Sequence, residues 1–440
     1  MFWIGKAPIS LGVQKNLYRL KIEICENLKK LPSSIQMESL QRFVISNSLK
    51  LETFPEINGD MHYLTQLTLK SIGIREMPSS IGNLLSLTKL YLKGCEDLVS
   101  LPDSLCNLMN LQHLFLNRCK RLEKLPENIG DLQELKELDA RDTAISQPPS
   151  SITKLGELWK LRFSHEKQLQ YSSSFVLHQV SGLSSLRELH LITLNILGGL
   201  PEDLGYLHFV RDLDVSGSNI SCLPKSFKGL LHLQATPNLE ELFADYHLAL
   251  KSIRDPVINC LNLSMLVISD CGAISSEQVN VFLQHFLRTC IQGLFCHFFP
   301  DQDRIPELFN YDRFINQKVI SIDLNPSWYT NKFMGFWLCY GPTGLDTILK
   351  ATLICKSDPE RKYSLKYNSI HRYSRFIDPF ICCVYIPFET LWNGEGNKEG
   401  KNPNDYYMLE VYDLYRKWEE LHCWGIRLVY EKDAMTDDLF

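Results

Sequence analysis

Apolar residues recur along the first two thirds of the chain in the pattern L-x-x-L-x-x-L-x-L, and a proline recurs with them. One unit reads Leu84, Leu87, Leu90, Leu92, Cys95, Leu98, Leu101, Pro102, Leu105. The next reads Leu108, Leu111, Leu114, Leu116, Cys119, Leu122, Leu125, Pro126, Ile129. The prolines Pro32, Pro55, Pro78, Pro102, Pro126 and Pro149 are spaced 23 or 24 residues apart, and the beat returns at Pro201 and Pro224. A fixed period in this range is the signature of a leucine-rich repeat solenoid. Within each unit the L-x-L core alternates apolar and polar, which predicts a strand with one buried and one wet face. Strands one repeat apart pair in parallel, and the stretch after each proline returns the chain. Each unit buries its apolar face only against the next, so the wet face of the sheet stays free as an extended binding surface.

The wet positions are Arg42, Val44, Gln66, Thr68, Lys70, Lys89, Tyr91, Lys93, His113, Phe115, Asn117, Glu137, Asp139, Arg141, Glu188, His190, Asp212 and Asp214. Basic residues dominate the early units and acidic residues the later ones. Tyr91 and Phe115 are predicted to lie side by side, and a surface aromatic pair is an anchor for a partner. The partner-binding candidates on these strands are therefore Lys89, Tyr91, Lys93, His113, Phe115, Glu137, Asp139 and Arg141.

Two places break the beat. Residues 164–182 carry no repeat pattern and read as a looped insertion. Near 234–237, Leu239 follows Leu233 by only 6 residues, which predicts a shortened repeat. From Ser275, a capping-box match leads into Val279, Phe282, Leu283, Phe286 and Leu287 at helical spacing, so a helix is expected to seal the last repeat. Phe295 to Pro306 reads as a turn-rich connector. Beyond it the chain changes to short alternating strands: Val319–Leu324, Phe333–Tyr340, Ala351–Cys355, Lys362–Tyr367, Phe380–Phe388, Tyr406–Tyr412 and Trp424–Tyr430. Strands this close, with no room for crossover helices, imply an antiparallel sandwich. The predicted organisation is a repeat domain over 1–272, a capping helix and connector over 273–297, and a β-sandwich over 298–440. The fold class is an α/β leucine-rich repeat solenoid, a parallel-sheet horseshoe, followed by an all-β jelly-roll/Ig-like sandwich.

Composition narrows the function classes. The 440 residues are too many for one compact core, and 45% are hydrophobic. The net charge of −5 leaves no electrostatic footprint for nucleic acid or anionic membrane. No stretch is apolar enough to span a bilayer and the start is a poor signal peptide, so cytoplasmic residence, with access to the nucleus, is expected. Of the fourteen cysteines, Cys25, Cys95 and Cys119 occupy one repeat slot that Ser48 and Thr143 fill elsewhere. A small residue with a weak donor suits that inward corner, so these thiols are read as reduced and structural.

Motifs for chemistry fail on spacing. Residues 394–401 are glycine-rich, but the spacing before Lys401 is wrong for a phosphate loop and Asn402 stands where Ser or Thr would hold magnesium. Cys290, Cys296 and His297 lack zinc spacing, and adjacent Cys382 and Cys383 alternate across a strand. No nucleophile–base pair is found. The chain is read as a non-enzyme with no cofactor and no metal.

Met77-Pro78-Ser79-Ser80-Ile81, Leu101-Pro102-Asp103-Ser104-Leu105 and Leu138-Asp139-Ala140-Arg141-Asp142-Thr143 resemble the repeats of plant TIR–NB–LRR immune receptors. Ile305-Pro306-Glu307-Leu308-Phe309, Ser321 to Tyr329 and Phe333-Met334-Gly335-Phe336 resemble the post-repeat jelly-roll/Ig-like domain (C-JID) of the same family. Leu308 stands where that family usually has tryptophan. The resemblance implies the ligand-sensing half of an intracellular receptor, which binds a pathogen effector through the concave face and the C-JID in defence signalling. It also adds Asn325, Pro326, Ser327, Trp328 and Tyr329 as partner-binding candidates. No P-loop or TIR region is found, so oligomerisation would come only through domains absent here. The partner is expected to be an effector protein or a full-length receptor, with no nucleic acid and no membrane. A truncated decoy that binds a full-length receptor, or a non-immune repeat adaptor, are the alternatives.

Overall fold

The computed structural model describes residues 7–59, 61–165, 174–220, 223–224, 226, 239–244, 265–268, 295–298, 319–330, 332–341, 348–355, 362–368, 381–388, 392, 402–413 and 423–430. The chain divides into two compact units, Met1–Leu239 and Glu240–Phe440. In the first, the predicted strands form a parallel ladder. They are β1 (Arg19–Glu23), β2 (Arg42–Ser48), β3 (Gln66–Ile72), β4 (Lys89–Tyr91), β5 (His113–Phe115), β6 (Glu137–Ala140), β7 (Lys160–Ser164), β8 (Glu188–Ile192) and β9 (Asp212–Asp214). Each pairs with the next one in order, and Leu67, Leu90, Leu114, Leu138, Leu161, Leu189 and Leu213 occupy one register column. These leucines are fully buried, as are the partners two residues on, Leu69, Leu92, Leu116, Ala140 and Leu191. Burying one leucine is worth roughly 1.5–3 kcal/mol, so the column outweighs the ordering entropy only because each unit covers its neighbour.

The return paths are short 3-10 helices rather than α-helices. Pro78, Pro102, Pro149 and Pro201 immediately precede four of them. A fixed φ and a missing N–H suit a helix start. The helices stack closely across repeats: a methyl group built on Gly130 would overlap the Ser151 carbonyl, while one on Gly156 would meet only Ser184 Oγ at 3.9 Å.

A second periodic feature sits at the end of every ladder strand except β7. Ile24, Asn47, Ser71, Gly94, Arg118, Asp142, Thr193 and Gly217 all have φ between 51° and 71°. The left-handed corner lets the N–H groups of Ile24, Ser71, Gly94, Arg118 and Thr193 donate to the carbonyls of Ser46, Lys93, Asn117, Arg141 and Ser216 in the next repeat. The adjoining Cys slot closes the corner from inside. Cys95 Sγ donates to Leu69 O at 3.3 Å, Cys119 Sγ to Leu92 O at 2.9 Å and Thr143 Oγ1 to Ala140 O at 2.8 Å. Cys25, Cys95, Cys106, Cys119 and Cys355 are free thiols.

Of the predicted looped insertion 164–182, residues 166–173 lie outside the described residues, and the rest differs from a loop. Ser164 ends β7, and Ser174–Phe175 forms a strand pair with Asn195–Ile196. Phe175, Leu177 and Val180 are buried, so 174–182 is repeat structure whose apolar spacing was displaced by the preceding residues. The junction at 234–237 and the predicted helix after Ser275 lie outside the described residues.

In the second unit, β10 (Glu241–Phe243), β11 (Met265–Ile268) and β12 (Phe295–Phe298) pair in parallel. Phe295–Phe298 is therefore a strand and not part of a turn-rich connector. It supplies two edges, because β17 (Ile381–Pro387) pairs with its other side in antiparallel fashion. All seven predicted C-terminal strands form: β13 (Val319–Asp323), β14 (Phe333–Gly341), β15 (Ile348–Cys355), β16 (Lys362–Asn368), β17, β18 (Tyr406–Asp413) and β19 (Cys423–Tyr430). One sheet runs β12-β17-β14-β19 and the other β13-β18-β15-β16. Between them lies a core that includes Trp328, Phe333, Phe336, Leu338, Leu353, Trp392, Leu409 and Ile426.

Two outcomes test this packing. Gly130→Ala is expected to cost about 2 kcal/mol by overpacking, whereas Gly156→Ala is near neutral. Urea unfolding of both variants measures it, and equal midpoints would reject the close approach. His165 is buried, with Nε2 2.8 Å from Ile145 O. Burial holds its imidazole below the ordinary value despite that carbonyl. The unfolded chain then takes up the proton first as pH falls, so the stability of the neutral ring is lost on acidification. Melting temperature should drop more between about pH 8 and about pH 5.5 in the native protein than in His165→Gln. Parallel pH profiles would contradict this.

Candidate functional site

The ladder turns a repeating sequence into rows of side chains on its wet face. The row before the buried leucine column is Arg19, Arg42, Gln66, Lys89, His113, Glu137, Lys160, Glu188 and Asp212. The row after it is Lys21, Val44, Thr68, Tyr91, Phe115, Asp139, Arg162, His190 and Asp214. Adjacent strands lie about 4.8 Å apart, so neighbours in a row are in contact range.

Tyr91 and Phe115 are brought together as expected. Their rings stack at 4.8 Å with an interplanar angle of 2°, and His113 lies over Phe115 at 6.3 Å and 8°. All three are half-buried. Burial, and secondarily the charge of Glu137, raises the Tyr91 phenol above its ordinary value. Burial also lowers the His113 imidazole, with Lys89 and Lys136 adding to that, although Glu137 Oε1 stands 3.4 Å from Nδ1. Lys93 and Lys70 are exposed beside this stack.

The later strands behave differently from their predicted wet role. Asp139, His190 and Asp214 are buried at 4%, 0% and 4% exposure. The reason is lateral. Long side chains in adjacent rows close over shorter ones and pair with them. Arg141 grips Asp139 with two hydrogen bonds of 2.9 and 2.6 Å. Arg162 reaches both Asp139 Oδ2 at 4.0 Å and Glu188 Oε2 at 3.2 Å, and Lys160 meets the same Glu188 oxygen at 2.6 Å. His190 Nε2 is 3.0 Å from Asp212 Oδ2. Burial pushes the Asp214 carboxyl above its usual range, against the pull of His190 and of the Ser216 hydrogen bond. Lys160 and Arg162 were missed from sequence because their unit precedes the break in the beat. The spacing Leu155, Leu158, Leu161 marks it.

Glu188, His190 and Asp212 place three potential ligand atoms within 4.8 Å of one another. The Glu188 carboxylate is already neutralised by Lys160 and Arg162, and His190 is engaged with Asp212, so this donor set does not favour a metal ion.

The candidates at 325–329 form a pinned turn in the second unit. Trp328 is 2% exposed and belongs to the core. Its Nε1 donates to Tyr406 O at 2.9 Å, and Tyr430 OH donates to its carbonyl at 2.8 Å. Asn404 clamps Tyr329 from both sides: Tyr329 N donates to Oδ1 and Nδ2 donates to Tyr329 O, each at 3.0 Å. Tyr329 is half-buried against Phe388 at 4.8 Å, which leaves Asn325, Pro326 and Ser327 exposed.

Residues 301–435 match the family described as the C-JID domain, and residues 103–171 match a leucine-rich repeat region. The chain is 33% identical to TMV resistance protein N of Nicotiana glutinosa over 98% of its own length and 39% of that protein. It is 25% identical to the disease resistance protein RPS4B of Arabidopsis thaliana over 91% of its length and 30% of that protein. The chain thus spans well under half the length of these relatives. Among solved structures, an LRR protein of Leptospira interrogans is 20% identical, covering 65% of this chain and 80% of that one with a TM-score of 0.39. Among the described residues, no helix is long and apolar enough to cross a membrane.

Removing Asp139 leaves Arg141 and Arg162 facing a buried void. Asp139→Ala is expected to lower the unfolding free energy by about 3 kcal/mol, and Asp139→Asn by less. Chemical denaturation decides it: a loss no larger than that of an exposed substitution such as Glu26→Ala would show the cluster to be structurally idle.

Proposed function

The chain is a leucine-rich repeat and C-JID region of the plant TIR–NB–LRR resistance-receptor kind, and from that premise we propose that it senses a pathogen effector protein in plant defence. The observation that carries this reading is the Tyr91–Phe115 stack on the face of a rigid ladder. Half-exposed aromatic rings are the side chains most often responsible for protein–protein affinity. Here the strands hold them before any partner arrives, which cuts the ordering cost of binding. The exposed tip Asn325–Ser327 of the C-JID is a second contact in this proposal. The role is recognition in the cytoplasm, with access to the nucleus, and not catalysis. Contact with a full-length receptor would use the same surface.

Effector candidates should co-precipitate with the intact chain and lose at least about tenfold in affinity with Tyr91→Ala/Phe115→Ala, the loss expected from removing an interface anchor. Melting curves confirm that the variant folds. Undiminished capture by the folded variant would discard the concave-face reading.

A further inference from the structure

The wet face is not electrically uniform, and the two halves differ in how their charges are used. On β6 to β9 the cations Arg141, Lys160 and Arg162 are each bonded to Asp139 or Glu188. All three cations of that half are thus engaged within it. On β2 to β4 and just past the end of β4, the exposed or half-exposed cations Arg42, Lys70, Lys89 and Lys93 have no ion-pair partner within 4 Å among the described residues. They also flank the aromatic stack in an ordered way. Arg42 and Lys89 lie in the row before it, while Lys70 lies in the row after it, with Lys93 one repeat further on. Tyr91 lies between Lys89 and Lys93, and Phe115, one strand on, continues the track beside His113. The result is a strip, apolar at Val44, Tyr91 and Phe115, that has cations on both sides from β2 to β4, with Gln66 interrupting the first side.

We propose that this strip docks an extended polypeptide segment that carries carboxylates around a single aromatic side chain. The inference rests on the concave-face reading above and specifies the chemistry of the partner. An extended segment sends successive side chains to opposite sides, so carboxylates can meet both cation lines while an aromatic ring extends the Tyr91–Phe115 stack. The later half, whose three cations are engaged and which also carries Glu137 and Asp212, offers no such complement, so charge directs the segment to the early repeats. Two short sets of cations separated by an apolar track suit a peptide better than a phosphate chain, which needs continuous cations.

The test uses the full chain and fluorescence anisotropy with labelled synthetic peptides. One is a glutamate-rich peptide with a central tryptophan, the second has glutamine for every glutamate, and the third has alanine for the tryptophan. An oligouridine RNA serves as the fourth probe. The acidic tryptophan peptide should bind, and weaken by about tenfold or more when salt rises from about 50 to about 300 mM. The glutamine and alanine peptides should each bind about tenfold more weakly, and so should the acidic peptide against Lys70→Glu/Lys89→Glu/Lys93→Glu. Absence of binding by the acidic peptide, equal binding by the glutamine peptide, indifference to charge reversal, or equal binding of RNA would each overturn the proposal. An effector whose capture falls with Tyr91→Ala/Phe115→Ala but not with the lysine reversals would refute the acidic partner alone. Capture that survives both variants would refute the concave-face reading as well.

Discussion

The structure depends on one constraint: no repeat can bury its own leucines. Leu114 is covered because Leu90 and Leu138 sit opposite it in register on either side. Hydrophobic burial is non-directional, but a strand can satisfy it only by placing its apolar residues in line with those of its neighbours. The register of the core is therefore also the register of the wet face. Tyr91 stacks on Phe115, and His113 faces Glu137, because Leu90 must meet Leu114 and Leu114 must meet Leu138.

Much of this was legible in the sequence. A period of 23 or 24 residues located the strands, and alternation told which letters face outward. It could not tell which outward letters remain wet. Asp139 and His190 are buried through the lengths and charges of Arg141, two residues along the chain, and of Arg162 and Asp212, which are neighbours across the ladder. The left-handed corners were equally hard to foresee. Gly94, Gly217, Asn47 and Asp142 are residue types that favour them, but Ile24 and Thr193 are not. In both, the N–H at the corner donates across the repeats, to Ser46 O and to Ser216 O, which offsets the strain.

The sandwich shows the same division. Its strands were readable from alternation and turn clusters, and all seven form. The strand Phe295–Phe298 was not, since four residues run directly into a turn-rich stretch and were read as part of that connector. Its pairing partners, Met265–Ile268 and Ile381–Val384, come from opposite directions in sequence. Trp328 illustrates a different limit. A motif shared with a family marks a residue as important without saying whether it touches a partner or supports the residues that do. Here its indole nitrogen is bound to Tyr406 and its ring is enclosed by Phe333, Phe336 and Phe388, so it supports the turn whose tip is exposed.

A left-handed corner recurs at the end of eight of the nine ladder strands, and in five of them its N–H donates to a backbone carbonyl of the following repeat. Coils joined by identical joints are interchangeable. Unequal crossing-over between two copies of the gene, if it removed or duplicated one whole period, would leave every joint intact while giving each ring and charge new neighbours. Such a lineage could therefore try new combinations of outward-facing side chains without having to rediscover how to fold.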